Sequence, residues 1–215
     1  MYQLTIIKDT IALHPVTFSQ PAQQALKDEL NKKYADRVIP DVGLGVCVFD
    51  LLAVSEGKVR YGDGCFWHKL TFRLVVFRPF ISEVIVGTIK ECTEKAVIVS
   101  TGFFDDIIVP ASLLPHPHAY DPNEKTHFWL ASEAETEPTE AEMLDSELTD
   151  RLYLDCGEIV RVRVENDEFY DDEPGPPMAV NGVYTRAKAK RPHYEITASM
   201  ATSGLGLVAW WNPQQ

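Results

Sequence analysis

The stretch from Lys69 to Leu114 constrains the fold more than any other, because its pattern changes at one proline. Before Pro79, Leu70, Phe72, Leu74 and Val76 alternate with Thr71, Arg73, Val75 and Phe77, the period-two pattern of a strand with one face toward a core. Proline has no amide proton to give a ladder, so the strand ends there. After it, Glu83 to Glu91 and Ala96 to Ser100 are short β-branched runs separated by the charged turn Cys92-Thr93-Glu94-Lys95, which predicts an up-down strand pair. A further run, Ile107 to Val109, follows a turn carrying Gly102, Phe103, Phe104, Asp105 and Asp106, and leads into Pro110-Ala111-Ser112-Leu113-Leu114. Strand, strand, strand and short helix, with two strand candidates still downstream, is the order of a partly open barrel of the OB type.

A chain of 215 residues has room for two small domains, and the change at Pro79 places the division, giving residues 1–80 and 81–215. The first reads as α+β, an antiparallel sheet with one helix. Met1 to Ile11 alternates as a strand, and Pro15 closes it. Ser19 is expected to cap a helix with Pro21 in its first turn, and Ala22, Ala25, Leu26 and Leu30 form its apolar stripe through about Tyr34. Lys27, Lys32 and Lys33 lie off that stripe, on a solvated face. Val42 to Val54 is near-continuously apolar, which predicts a strand buried on both faces. Gly43 and Gly45 within it are no dinucleotide fingerprint, because strand formers follow where a helix N-terminus would have to hold a pyrophosphate. Glycines inside a strand mark a bulge or a close backbone approach. Beyond Val59 to Tyr61 comes the loop tip Gly62-Asp63-Gly64, with Trp67 behind it; it reads either as an ordinary turn or as a plug for a pocket on a partner.

The second domain reads as all-β. Pro115, Pro117 and Pro122 make the run PHPHAYDPNEK irregular, and Thr126 to Leu130 is a brief strand that Leu152 to Leu154 resumes. Gly157 to Val164 is the clearest strand of this half: Val160, Val162 and Val164 face one way, Arg161 and Arg163 the other. Tyr194 to Met200 and a final Leu205 to Trp211 are expected to close the barrel. Two stretches stand outside it, an acidic insertion at about 131–150 and a Pro-, Gly- and Asp-rich loop at about 171–191 that is expected to be disordered.

Those two stretches also explain the formal net charge of −12. Residues 1–80 are near charge balance, whereas Glu133 to Asp150 is acidic without a single Lys or Arg, so the mean charge says little about either folded surface. No apolar run approaches the roughly 20 residues that span a bilayer, and MYQLTIIKD has neither the basic region nor the apolar core of a signal peptide; no membrane partner is expected. Cys47, Cys65, Cys92 and Cys156 stand far apart with no C-x-x-C pair, the pattern of free thiols in a reducing compartment rather than of a zinc site or disulfide framework. His116 and His118 read as solvated loop histidines. Asp105 and Asp106 are neighbours on an extended chain and point to opposite faces, so they do not make a convergent carboxylate pair. No phosphate-binding Gly-rich loop, H-E-x-x-H or G-x-S-x-G occurs. Neither catalytic residues, cofactor nor metal is expected.

Five segments, in order along the chain, carry a resemblance: GLGVCVFDLL (Gly43 to Leu52), EGKVRYGDGCFW (Glu56 to Trp67), FRLVVFRPF (Phe72 to Phe80), GFFDDIIVPASLL (Gly102 to Leu114) and GLGLVAWW (Gly204 to Trp211). Together they resemble the larger stalk subunit of eukaryotic RNA polymerase III, a family related to the seventh subunit of RNA polymerase II and to its counterpart in the archaeal RNA polymerase. The resemblance implies a tip domain followed by an S1-type OB domain and a non-catalytic, nuclear subunit. It further implies a heterodimer with a smaller stalk subunit, docking on the RNA polymerase III core, a role with initiation factors in transcription initiation, and contact with RNA.

On that reading the tip domain docks on the core, with Gly62, Asp63 and Gly64 as its docking loop. The barrel binds single-stranded RNA weakly, with Phe103, Phe104, Trp129, Arg161 and Arg163 as candidates. S1 domains place stacking aromatics where this chain has Val97 or Ile98 and Val109 or Pro110, so which ring stacks on a base stays open. The two arginines could instead pair with Glu158, Glu165 or the acidic insertion. A free-standing S1-type RNA-binding protein of translation or RNA decay is the alternative function, and an enzyme with an OB accessory domain the outsider.

Overall fold

The computed structural model describes residues 1–130, 143, 146, 151–171, 178–180, 183–185 and 191–211. The chain divides into two compact units, Met1–Pro79 and Phe80–Gln215. Among the described residues no helix is long and apolar enough to cross a membrane.

In the first unit, β1 (Tyr2–Leu13), β2 (Arg37–Ile39), β3 (Gly43–Val54), β4 (Lys58–Val59) and β5 (Phe66–Phe77) form an antiparallel sheet in the order β1-β5-β3-β2, with β4 beside β5. The helix α1 (Ala22–Tyr34) buries Ala25, Leu26 and Leu30 against the alternate residues Leu70, Phe72, Leu74 and Val76 of β5. The Asn31 side-chain carbonyl accepts the Val48 amide at 2.8 Å, tying helix to sheet. Asp9 of β1 fastens the same end, accepting from Tyr34 Oη at 2.7 Å and Lys33 Nζ at 2.6 Å.

Two expectations for this unit need correction. Ser19 does not cap α1. It ends a 3-10 helix, Pro15–Ser19, and Gln20 is extended, as the ring of the following Pro21 requires. Pro21 opens the helix, its carbonyl accepting the Gln24 and Ala25 amides. Nor is β3 buried on both faces: Val46, Phe49, Leu52 and Val54 are exposed. Its ladder with β5 slips at Gly45/Cys47, Val48/Asp50 and Leu51/Ala53, and each bulge shifts the in–out phase. The apolar run therefore records changes of phase, while α1 covers one face only.

The second unit holds β6 (Val84–Cys92), β7 (Ala96–Ser100), β8 (Ile107–Pro110), β9 (His118–Asp121), β10 (Thr126–Leu130), β11 (Arg151–Tyr153), β12 (Ile159–Phe169), β13 (Met178–Val180), β14 (Val183–Thr185), β15 (Tyr194–Ser199) and β16 (Gly206–Leu207). Five of these close a barrel as in an OB fold: β6, β7 and β8 run antiparallel, β8 pairs parallel with β15, and β12 pairs antiparallel with both β15 and β6. The inward rows Val97 and Val99, Ile107 and Val109, and Val160, Val162 and Val164 are fully buried.

Outside the barrel, β9, β10 and β11 form a small antiparallel sheet. Strand β9 lies within the run expected to be irregular. Its prolines at 117 and 122 flank His118–Asp121 instead of interrupting it, so every ladder position keeps its amide. Leu130 stands opposite Arg151, and the acidic insertion leaves and returns at this pair. Most of that insertion lies outside the described residues, but Met143 is buried against Ala119, Phe128 and Leu130. The loop at 171–191 likewise falls largely outside them; within it β13 and β14 pair antiparallel. The expected last strand is also corrected: β16 spans Gly206–Leu207, and Val208–Trp211 is a 3-10 turn.

Gly45 shows how tightly helix and sheet meet, since a Cβ there would lie 2.3 Å from the Tyr34 carbonyl oxygen. Backbone atoms cannot swing aside as a side chain can, so Gly45→Ala is expected to lower stability by about 1–3 kcal/mol. Urea unfolding of the full chain checks this; a midpoint equal to the parent's contradicts it.

Candidate functional site

Asp63 organises the loop between β4 and β5. Its Oδ1 accepts the Cys65 amide at 3.0 Å and its Oδ2 accepts Trp67 Nε1–H at 2.9 Å, and these donors, the Cys65 amide first, hold the carboxyl below the usual carboxylate range. Gly62 and Gly64 have φ of +95° and +67°, where any other residue is strained. The surrounding chain leaves them open: a Cβ on Gly62 would meet nothing within 4 Å, and one on Gly64 only Pro15 Cγ at 4.0 Å. The three residues chosen from sequence thus share one exposed turn held by a carboxylate clasp.

Sequence reasoning missed what stands beside that turn. Tyr61 is fully exposed, Val16 nearly as open and Val59 exposed, and the partly exposed rings of Phe18 and Phe66 pack at 4.9 Å between centroids. The available signal was Val16 and Phe18, apolar residues after Pro15 in a segment too short to bury them. The sheet face opposite α1 is apolar as well, with Tyr2, Leu4 and Ile6 of β1 exposed and, across β5, Phe49 of β3. Asp50 and Arg73 are ion-paired, and the Arg73 guanidinium lies 5.1 Å from the Phe49 ring centroid.

The barrel candidates separate. Phe103 is exposed, but Phe104, one of the candidate RNA-contact rings, is buried with its ring 5.4 Å from that of Tyr194 and fills the core under its turn. That turn is braced by Asp105, which accepts from Lys90 Nζ at 2.7 Å and Ser100 Oγ at 2.6 Å, while burial raises the Asp106 carboxyl. Arg163 donates from Nε and Nη2 to Glu165 Oε1 at 2.9 and 2.6 Å. The Arg161 side chain makes no hydrogen bond or ion pair among the described residues. Trp129, on β10, lies far in sequence from both phenylalanines and meets Trp210, ring centroids 5.2 Å apart at 43°. Sequence reasoning placed Trp210 in a barrel strand and so missed this pair. Among the described residues no group of His, Cys, Asp and Glu could hold a metal ion.

Residues 83–211 match the family described as RNA polymerase III subunit Rpc25, and residues 8–64 match the SHS2 domain found in the N terminus of Rpb7p and Rpc25p. Full-length relatives agree. The chain is 38% identical over 215 residues to DNA-directed RNA polymerase III subunit rpc8 of Schizosaccharomyces pombe, covering 98% of this chain and 100% of the relative. It is 37% identical to the RPC8 of Bos taurus, over 98% of each chain. Archaeal relatives are more distant: the Rpo7 subunit of Saccharolobus shibatae is 24% identical over 121 residues, 56% of this chain and 67% of that one.

The chain belongs to the Rpc25 family of RNA polymerase III subunits. Membership makes it a non-catalytic stalk subunit of a DNA-directed RNA polymerase complex. It leaves the free-standing RNA-binding protein and the enzyme with an accessory barrel without support.

Beside Trp129, His127 is buried on β10. Its Nε2 meets the Thr93 carbonyl at 2.8 Å, which fixes the proton on Nε2, and its Nδ1 is buried with no partner among the described residues. Protonation would place a charge there, so burial depresses the pKa, with the Thr93 bond opposing it. The unfolded chain takes up this proton near pH 6.5 and the folded chain only at lower pH. The neutral ring's stability is therefore present above about 6.5 and lost as pH falls below it, at up to about 1.4 kcal/mol per pH unit. The urea midpoint of the parent is expected to fall more steeply between pH 7.5 and 5.5 than that of His127→Gln. Parallel profiles would remove His127 as the titrating group.

Proposed function

We propose that the chain is the larger half of a two-subunit stalk on nuclear RNA polymerase III, with residues 1–80 as the docking domain and 81–215 as the RNA-contacting OB domain. The Gly62-Asp63-Gly64 turn and its apolar neighbours enter a pocket on the polymerase core. The apolar face of the first sheet takes the smaller stalk subunit, and the barrel contacts single-stranded RNA weakly near the initiation factors. The observation that carries the docking assignment is the pairing of an internally braced turn with open glycines and exposed Tyr61, Phe18 and Phe66. A turn needed only to connect two strands has no reason to expose rings, because exposed apolar area favours burial against a partner by about 25 cal/mol per Å².

The test adds bulk without unfolding the turn. Asparagine tolerates positive φ better than other side chains, so Gly62→Asn with Gly64→Asn is expected to leave the circular dichroism and the smaller subunit's binding unchanged. Recovery of core polymerase with the tagged chain is expected to fall about tenfold, the effect of losing roughly 1.4 kcal/mol. Undiminished recovery would make the turn a plain connector, and equal loss of fold and recovery would make it structural.

A further inference from the structure

Parts of the second unit that are remote in sequence meet at one aromatic groove. Trp129 of β10 and Trp210 of the final 3-10 turn line it together with His116, Met200 and Leu205, around a volume of about 340 Å³. Trp129 Nε1–H donates to the His116 carbonyl at 3.1 Å, and Trp211 Nε1–H to the Leu205 carbonyl at 2.8 Å. Two of its three indole N–H groups are thus satisfied inside the chain, and Thr202 and Ser203 line the groove beside the indole faces. Among the described residues no Asp or Glu lines it.

Gly206 holds Trp210 in place. A Cβ there would lie 2.4 Å from a ring carbon of Trp210, so only glycine lets the indole rest on β16. Directly across the ladder from Gly206 stands Arg161. Its inward neighbours Val160 and Val162 are fully buried, which turns Arg161 to the outer side of the barrel. Arg163 is committed to Glu165, whereas the Arg161 side chain makes no ion pair among the described residues. A planar cation thereby stands across the ladder from the glycine on which Trp210 rests. That combination suits a flat, delocalised ring joined to an anion, since aromatic faces stack on any base and a guanidinium meets the phosphate.

We propose that the Trp129–Trp210 groove is the base-stacking site of this OB domain, taking one nucleobase of single-stranded RNA while Arg161 meets an adjoining phosphate. The inference rests on the RNA contact proposed above and gives that contact a place, away from the β7–β8 turn in which Phe104 is buried.

The test is binding of fluorescein-labelled decauridylate to the full chain, read by anisotropy at several salt concentrations, with circular dichroism as the check on folding. The parent is expected to bind saturably. Trp129→Ala and Trp210→Ala are each expected to weaken binding by about tenfold, as loss of one stacking partner does, and Trp129→Phe, which keeps a ring, to recover most of it. Arg161→Ala should lower the log–log salt slope by about 0.7, one phosphate contact on a single strand. Phe103→Ala should change nothing. Parent-like affinity in folded Trp129→Ala and Trp210→Ala would overturn the groove while leaving RNA contact standing. Absence of saturable binding by the parent would overturn the RNA contact itself, and the groove with it.

Discussion

The barrel unit depends on one strand taking part in three ladders. Strand β12 pairs with β6 over Ile159–Arg163, with β15 from Arg163 onward, and with β16 at Val160 and Arg161. A straight strand could not turn from one neighbour to the next within so few residues; the register shift between Val164 and Asn166 provides the bend. Val160, Val162 and Val164 are buried without remainder, each contributing about 1.5–3 kcal/mol by leaving water. Their burial decides the other face too. Arg161 and Arg163 cannot point inward, so closing the barrel also fixes where its outward cations stand.

Alternation made much of this legible in sequence. β5, β7 and β12 each keep strict period two over a buried row, and the helix stripe of Ala25, Leu26 and Leu30 was equally plain. The failures have physical causes. In β3 repeated bulges put apolar residues next to one another and imitated a strand buried on both faces. In β9 the prolines sit just outside the ladder, and a count of prolines is blind to that. Ser19 has the right chemistry for a cap, but Pro21 forces Gln20 to be extended and leaves the serine out of reach. The groove was the least legible feature, because Trp129 and Trp210 become neighbours only after β9–β11 and β16 have both been placed, and no local pattern encodes that meeting.

The glycines fall into two classes that one letter cannot separate. Gly45 and Gly206 are crowded, the first by the Tyr34 carbonyl and the second by the Trp210 ring, and each allows a close approach inside the chain. Gly62 and Gly64 are uncrowded and at positive φ; they serve a backbone shape whose outer side is open. Only the second class can make room for another molecule. The distinction rests on what a Cβ would meet, which sequence does not record.

The acidic insertion illustrates how a stalk subunit carries a large charged segment without disturbing its barrel. Its ends, Leu130 and Arg151, are ladder partners, so the gap is closed by β10 and β11 whatever the insertion's length; closure entropy grows only by about 0.6 kcal/mol for each doubling. Arg151 secures the closure. Its side chain is almost wholly buried, pairs with Asp121 at 3.3 Å, donates to the Ser146 carbonyl at 2.9 Å and lies 4.9 Å from the Phe128 ring centroid. Asp121 also accepts the Asn123 amide and the Tyr153 hydroxyl, which hold its carboxyl below the usual range. A buried pair of this kind is held by the cost of separating it, about 3–5 kcal/mol when one partner is lost, more than by its net attraction. Because that cost falls on β9–β11 and not on β12, the insertion is anchored to the satellite sheet, and the strand that closes the barrel is left out of the linkage.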